Sequence, residues 1–290
     1  MKAPTMLETI RSLLGAPACA IPLSVCRPYK TYLLDKADIP LTGTAILFTV
    51  PYVVTSDAHD PTRNLSLYAI PRDYHGYMKE LEATVLPFLR VSFPDCSFAL
   101  FTDHSPIMEV DAAARAGLGV LGLNGLLLTP EYGSLVFIGE IVTDADYAAV
   151  TGRDIPPFPA DPPTCDGCGA CVKACPMGCR DGDRDACLSA LTQKKGELTA
   201  EEEDAILRGG LVWGCDACQM ACPHNIRVLR EKRDTNIPYF AEDRLTRLDS
   251  QILSHMSDEA FATRAYAWRG RKVIQRNCAL FAIDHERSKP

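Results

Sequence analysis

The chain contains no run of about 18 uninterrupted apolar residues, so no membrane-spanning helix is predicted. It lacks an export signal of the usual kind: Glu8 and Arg11 break the apolar stretch near its start. A cytoplasmic location is the expectation. It lacks the charge excess of a disordered chain, with 23% charged and 47% hydrophobic residues. Its 290 residues suffice for one large domain or two ordinary ones with a real core. Net positive charge is missing too, and a value of −7 argues against a general nucleic-acid binder. There is no dinucleotide fingerprint: GLGVLG at 117–122 has the wrong spacing and follows a helical segment rather than a strand. No internal repeat exists apart from two cysteine motifs.

Cysteine is what the chain has in excess, at thirteen residues. Most crowd into one third of the length. Without an export signal, reduced metal-binding thiolates fit better than a disulfide framework. Charge is also uneven. From position 226 to the end there are 13 Lys/Arg against 9 Asp/Glu. A basic end on an acidic body allows a local contact with a polyanion.

Three parts are predicted: 1–153, 154–230 and 231–290. In the first, residues 45–50 (AILFTV) and 96–102 (CSFALFT) read as strands, and Tyr74 to Arg90 has helical apolar spacing with Pro87 inside it. Ser105-Pro106 reads as an N-cap and first helical residue, with Gly117 ending that helix. Residues 125–130 and 134–143 read as a hairpin around EYG. This mixed order predicts an α+β or α/β unit. The proline-rich stretch 154–163 reads as an extended linker. A cysteine-rich unit and a short helical tail follow.

The first cysteine motif is Cys165-x2-Cys168-x2-Cys171-x3-Cys175-Pro176, and the second is Cys215-x2-Cys218-x3-Cys222-Pro223. The first spacing is the bacterial ferredoxin run, in which the fourth cysteine ligates the other cluster. Three thiolates on a tight loop cap one cube, and the fourth has by then turned away. Two 4Fe–4S cubes need eight thiolates; the motifs hold seven and Cys187 lies between them. The predicted sets are Cys165, Cys168, Cys171 and Cys222 for one cluster, and Cys175, Cys187, Cys215 and Cys218 for the other. Cys179 competes with Cys187 for the eighth place. Zinc is the alternative metal, since CxxC pairs also bind it. Cys19, Cys26, Cys96 and Cys278 are scattered and read as small buried hydrophobes. Two such clusters form a wire for single electrons rather than a catalyst.

Asp103 lies where a strand ends and a helix is about to begin. Helix-terminus electrostatics is the plain reading of its position. The segment from Asp103-x-x-Pro106 through Arg115-Ala-Gly-Leu-Gly, Gly122-x-Asn124, Thr129-Pro-Glu-x-Gly133-Ser134 and Gly139-Glu140-Ile-Val-Thr143 resembles the epoxyqueuosine reductase family. So do the order of the eight cysteines, CLSAL at 187–191, GCDACQMACPHN at 214–225, Arg63, and Tyr68 to His75. The likeness runs over roughly residues 45 to 280. It departs at Leu123, where the family usually has lysine, and at Val120, where it usually has tryptophan. Most of the family's C-terminal helical repeat domain has no counterpart.

The resemblance implies a nitroreductase-like, reductive-dehalogenase-like mixed sheet domain followed by a ferredoxin-like double 4Fe–4S domain. It implies cobalamin beside the clusters, and an enzyme that completes queuosine in tRNA by removing an epoxide oxygen. Asp103 matches the family's proton donor, a role that calls for an acid protonated near neutral pH. Corrin contacts would fall at Leu127, Ile138 and Ile141. Tyr74 and His75 are candidates to line the cofactor pocket, with packing and capping as the alternative. A ferredoxin or flavodoxin is the expected electron donor. The other functional readings are an electron-transfer or activating protein for a partner, and a cobalamin reductase for a different small substrate. The basic cluster Arg269, Arg271, Lys272 and Arg276 beside Trp268 reads first as a solvated helical face, and second as a contact for tRNA phosphates.

Overall fold

The structure, a computed structural model, describes residues 3–179 and 186–287. No helix among the described residues is long and apolar enough to cross a membrane. The chain divides into two compact units, one of residues 1–50 and 75–167, the other of 51–74 and 168–290. No change of composition marks the departure of 51–74 from its neighbours in sequence.

The first unit is built on a four-stranded sheet with the order β1 (Ala18–Pro22), β2 (Thr44–Pro51), β6 (Val136–Thr143), β3 (Phe98–Phe101). β1 pairs antiparallel with β2, and β3 antiparallel with β6 in a register that sets Phe101 opposite Glu140. All eight residues of β2 are buried, as expected of a central strand with both faces covered. Gly139 is needed where β6 passes β2: a Cβ there would lie 2.2 Å from the Phe48 ring. Side chains alternate along a strand, so Ile138, Glu140 and Val142 share one face. On that face Ile138 and Val142 join Ala45, Leu47, Ile107 and the alanines of the helix Glu109–Arg115 in one apolar cluster.

Two local expectations are corrected. The residues 125–130 and 134–143 do not form a hairpin. β5 (Leu127–Leu128) pairs instead with β4 (Val120–Leu121), while β6 enters the main sheet. The EYG turn closes only through the Thr129–Gly133 bridge. The helix after β3 begins at Glu109, not at Pro106. Ser105 does bond the N–H two residues on, at Ile107 (3.1 Å), but that is a local turn rather than a cap. Residues 106–108 are drawn out of the helix by a bridge between Pro28 and Ile107, with Tyr29 N–H donating to Pro106 O and Met108 N–H to Arg27 O. The proline-rich stretch is extended as expected and is docked on its own unit: Leu121 N–H donates to Pro163 O, and Cys165 N–H to Leu121 O.

The second unit carries the cysteine loops from Cys168 onward and the helical tail, while Cys165 belongs to the first. The short helix Ala170–Ala174 of the first motif packs on Ala217–Met220 of the second. The tail helix Arg271–Arg287 packs on Ser250–His255 and Ala200–Gly209. Its buried Asn277 donates to Thr192 O and Val212 O, both at 2.8 Å.

Candidate functional site

None of the thirteen cysteines, all of them among the described residues, is joined in a disulfide. Of the eight predicted ligands, Cys168 is exposed, Cys222 is buried and the others are partly buried. Among the described residues, no three His, Cys, Asp or Glu side chains converge as tightly as a single ion requires. The second-unit thiols lie instead along loops joined by the two packed motif helices. Burial alone would raise the Cys175 thiol. Backbone N–H groups of Met177, Cys179 and Gly178, with the Cys179 side chain, outweigh it and pull the thiol below its ordinary value. The Cys179 N–H lies 3.3 Å from Cys175 Sγ. Donation of this kind favours a thiolate. Cys215 is pushed up chiefly by burial; the Ala217 N–H opposes this, and Asp216 and any thiolate at Cys187 or Cys175 add to it. Cys175, Cys187 and Cys215 therefore share one electrostatic neighbourhood.

Residues outside the motifs hold these loops. Cys187 is the N-cap of the helix Leu188–Thr192, and Thr192 Oγ1 accepts the Gly214 N–H at 2.9 Å, tying the Cys187 helix to the second motif. Asp216, between Cys215 and Cys218, is 2% exposed. It pairs with Arg63 (2.5 Å), receives the Leu67 N–H (2.9 Å) and accepts the Ser66 hydroxyl. Trp213 is fully buried and its Nε1–H donates to Tyr68 Oη at 2.8 Å. Segment 63–68 thus braces the second motif. Sequence reasoning singled out Arg63 and Tyr68 only by likeness, and missed Asp216, Ser66 and Thr192. An acid wedged inside CDAC was the available signal.

Asp103 is exposed and sits at φ +58°, a left-handed conformation that aspartate tolerates better than most residues. Its N–H donates to Glu109 Oε2 (3.1 Å), and Thr102 Oγ1 donates to Ile138 O (2.8 Å). The next residue, His104, lies between Lys30 Nζ (3.0 Å from Nδ1) and Tyr32 Oη (2.8 Å from Nε2). An ammonium can only donate, so Nδ1 accepts and Nε2 carries the hydrogen. Below the turn, Ser105 Oγ lies 2.7 Å from Oε2 of the fully buried Glu140. Burial pushes the Glu140 carboxyl up to about 8; the Ser105 hydroxyl opposes this and Glu109 adds to it. Glu140 was quoted in the likeness but given no role. A lone acid inside SLVFIGEIVT was the signal.

Leu127, Ile138 and Ile141 are buried at 3%, 9% and 0% exposure, the first two within the apolar cluster. Their side chains are almost wholly covered by the protein. Tyr74 and His75 are partly exposed at the start of the helix Tyr74–Ser92. In the β4–β5 turn, Asn124 Nδ2 is buried without a hydrogen-bond partner among the described residues. The basic tail residues separate. Arg276 donates to Lys194 O and Gly196 O, and Arg271 pairs with Asp258 and stacks on Phe261. Arg269 stacks on the exposed Trp268.

Residues 164–225 match the family described as a 4Fe-4S double cluster binding domain. The fold and this match define the class: an iron–sulfur protein joining an α+β sheet unit to a double-cluster domain and a helical tail. The chain is 37% identical over 223 residues to the epoxyqueuosine reductase of Listeria monocytogenes, covering 72% of this chain and 54% of the relative. It is 33% identical over 228 residues to that of Bacillus subtilis, again covering 54% of the relative. The chain thus spans about half the length of the curated relatives it matches. Over the shared segment it belongs to the epoxyqueuosine reductase family. The epoxyqueuosine reductase structure from Streptococcus thermophilus superposes with a TM-score of 0.69 at 18% identity, covering 98% of this chain and 85% of that one. One solved with an epoxyqueuosine-modified tRNA-Tyr stem loop also gives 0.69, at 23% identity with 95% and 79% covered. These two establish the fold.

Proposed function

We propose that the chain is an iron–sulfur oxidoreductase that reduces epoxyqueuosine to queuosine in tRNA. One observation carries the reading: a double-cluster cysteine set and an exposed Asp103 turn occur in one chain of this family. The ligand sets are Cys165, Cys168, Cys171 and Cys222, and Cys175, Cys187, Cys215 and Cys218. The donor chemistry fits: cysteines free of disulfides, backbone N–H groups directed at Cys175, and Cys187 tied to the second motif through Thr192 and Gly214. The last of these supports Cys187 over Cys179 as eighth ligand. Turning an epoxide into an alkene takes two electrons and two protons and releases water, so two single-electron carriers match its demand. When bound, the clusters supply the electrons and cobalamin, the cofactor the resemblance implies, supplies reduced cobalt chemistry at the epoxide carbon.

The chain's own residues supply binding and protons. The Asp103 carboxyl gives a proton to the departing oxygen, and solvent provides the second. His104, held by Lys30 and Tyr32, borders the same turn. The corrin fit is narrower than the resemblance suggests. Leu127, Ile138 and Ile141 act from behind as packing, while the unspent Asn124 amide hydrogen suits a ligand carbonyl or phosphate oxygen. Tyr74 and His75 remain candidates for the pocket wall. A relative's tRNA stem loop supports tRNA as substrate. A ferredoxin or flavodoxin would recharge the clusters.

The test uses full-length protein reconstituted anaerobically with iron, sulfide and cobalamin, and an epoxyqueuosine-modified stem loop. Asp103→Asn and Asp103→Ala should lower turnover by about 100-fold or more while cluster absorbance and cobalamin uptake stay unchanged. Full activity in Asp103→Ala removes the proton-donor role. Failure of cluster-loaded protein to take up cobalamin removes that cofactor.

A further inference from the structure

We propose that Glu140 is a positioning residue for Asp103, acting through Ser105 to hold the 103–107 turn in the geometry that presents the Asp103 carboxyl. The inference rests on the proposed reductase role only in saying what the turn is for. Glu140 has no exposed surface, and its Oε1 has no hydrogen-bond partner among the described residues. Oε2 lies 2.7 Å from Ser105 Oγ. Ser105 Oγ in turn receives the Ile107 N–H (3.1 Å) and lies 2.9 Å from Ile107 O.

Counting hydrogens gives the device its logic. As a neutral acid, Glu140 donates to Ser105 Oγ, and the serine hydrogen is left for Ile107 O. As a carboxylate, Glu140 can only accept. Ser105 must then turn its hydrogen inward, Ile107 O loses its donor, and a charge is left in an apolar layer. Asp103 is strained in the left-handed region and is held on its other side by Glu109. Loosening Ser105 therefore loosens Asp103. The titratable and charged groups on the elements packed around Glu140 include Glu109, Asp111 and Arg115 on the following helix, where Asp111 is paired with Arg27 and Arg115, and Cys26 in the loop after β1. Glu109 opposes its ionisation. The Cys26 thiol is pushed up to about 12, chiefly by burial, and stays neutral across the working range. β2 and β3, which flank β6, carry no charged residue. The acid form should therefore prevail at neutral pH and give way near pH 8.

The test is hydrogen exchange of the full cluster-loaded chain, read at the amides of 103–105, 107 and 108 and corrected for intrinsic rates. Wild type should lose about 10-fold protection between pH 7 and pH 9. Glu140→Gln, which keeps a neutral donor and acceptor, should hold its protection across that range. Glu140→Leu should exchange about 10-fold faster than wild type at pH 7. If Glu140→Leu does not fold, the wild-type and Glu140→Gln comparison decides alone. Equal exchange and equal pH dependence in those two proteins overturns the proposal. In turnover, the alkaline decline of kcat near pH 8 should vanish in Glu140→Gln with KM unchanged. If exchange behaves as stated but no epoxyqueuosine is reduced, the reductase reading falls and the clamp stands. If turnover is present but exchange is identical, the clamp falls and the reading stands.

Discussion

Glu140 is the residue at which burial has the clearest thermodynamic consequence. An unfolded glutamate titrates near the usual ~4.3, whereas this one titrates near 8 when folded. Between those values the folded state keeps a proton that the unfolded state has released. Its contribution is therefore most favourable below about pH 4 and declines steadily until about pH 8, where it levels off. Glu140→Gln removes this slope. Urea unfolding at several pH values from 5 to 8 should show the mutant gaining on wild type by a few kcal/mol as pH rises. A constant difference would mean that Glu140 is ionised in the fold. Such a residue was legible only in part: a single acid in an apolar strand announces a buried polar group, but not its partner. Asp103 was marked out by likeness alone, because its φ and the Glu109 contact depend on a turn that sequence pattern does not specify.

Elements were legible where their apolar period was long. β2 and the helix over Tyr74–Ser92 stand where the pattern put them. Short apolar runs misled. The run 125–130 reads as the partner of the strand next in sequence, but its Leu127–Leu128 pairs with Val120–Leu121, which precedes it across a glycine turn. The N-cap at Ser105 was misread because the Pro28–Ile107 bridge, 79 residues apart in sequence, overrides the local preference. Two element contacts lend themselves to measurement. Gly139→Ala would drive a methyl into the Phe48 ring, and thermal unfolding should register a loss of about 1–3 kcal/mol. In a Phe48→Leu background the added loss should shrink. Arg63→Ala would strand Asp216 as a buried carboxylate beside the second cysteine motif. Chemical unfolding should report about 3–5 kcal/mol of destabilisation, with lowered iron content after reconstitution. Unchanged stability would mean that Asp216 is already hydrated.

At the scale of the molecule, the cysteine spacing announced the double-cluster domain without help from any other feature, because eight thiolates on ferredoxin-like loops have few other uses. The braces around that domain were not legible. They come from residues 51–74 and from Asn277, far away in sequence, and only folding brings them to the cysteine loops. The helical tail was legible, but its arginines serve internal carbonyls and rings more than a shared basic face. The central claim is that the clusters of this chain power the removal of an epoxide oxygen. The most direct measurement is anaerobic single turnover of dithionite-reduced, cobalamin-loaded protein with an epoxyqueuosine-modified tRNA stem loop, followed by nucleoside mass spectrometry. The account predicts queuosine, formed in step with the bleaching recovery of the cluster absorbance, and none when Cys171 and Cys218 are both replaced by serine. Reduced clusters that persist beside unchanged epoxyqueuosine would contradict it and leave an electron-transfer protein for another partner.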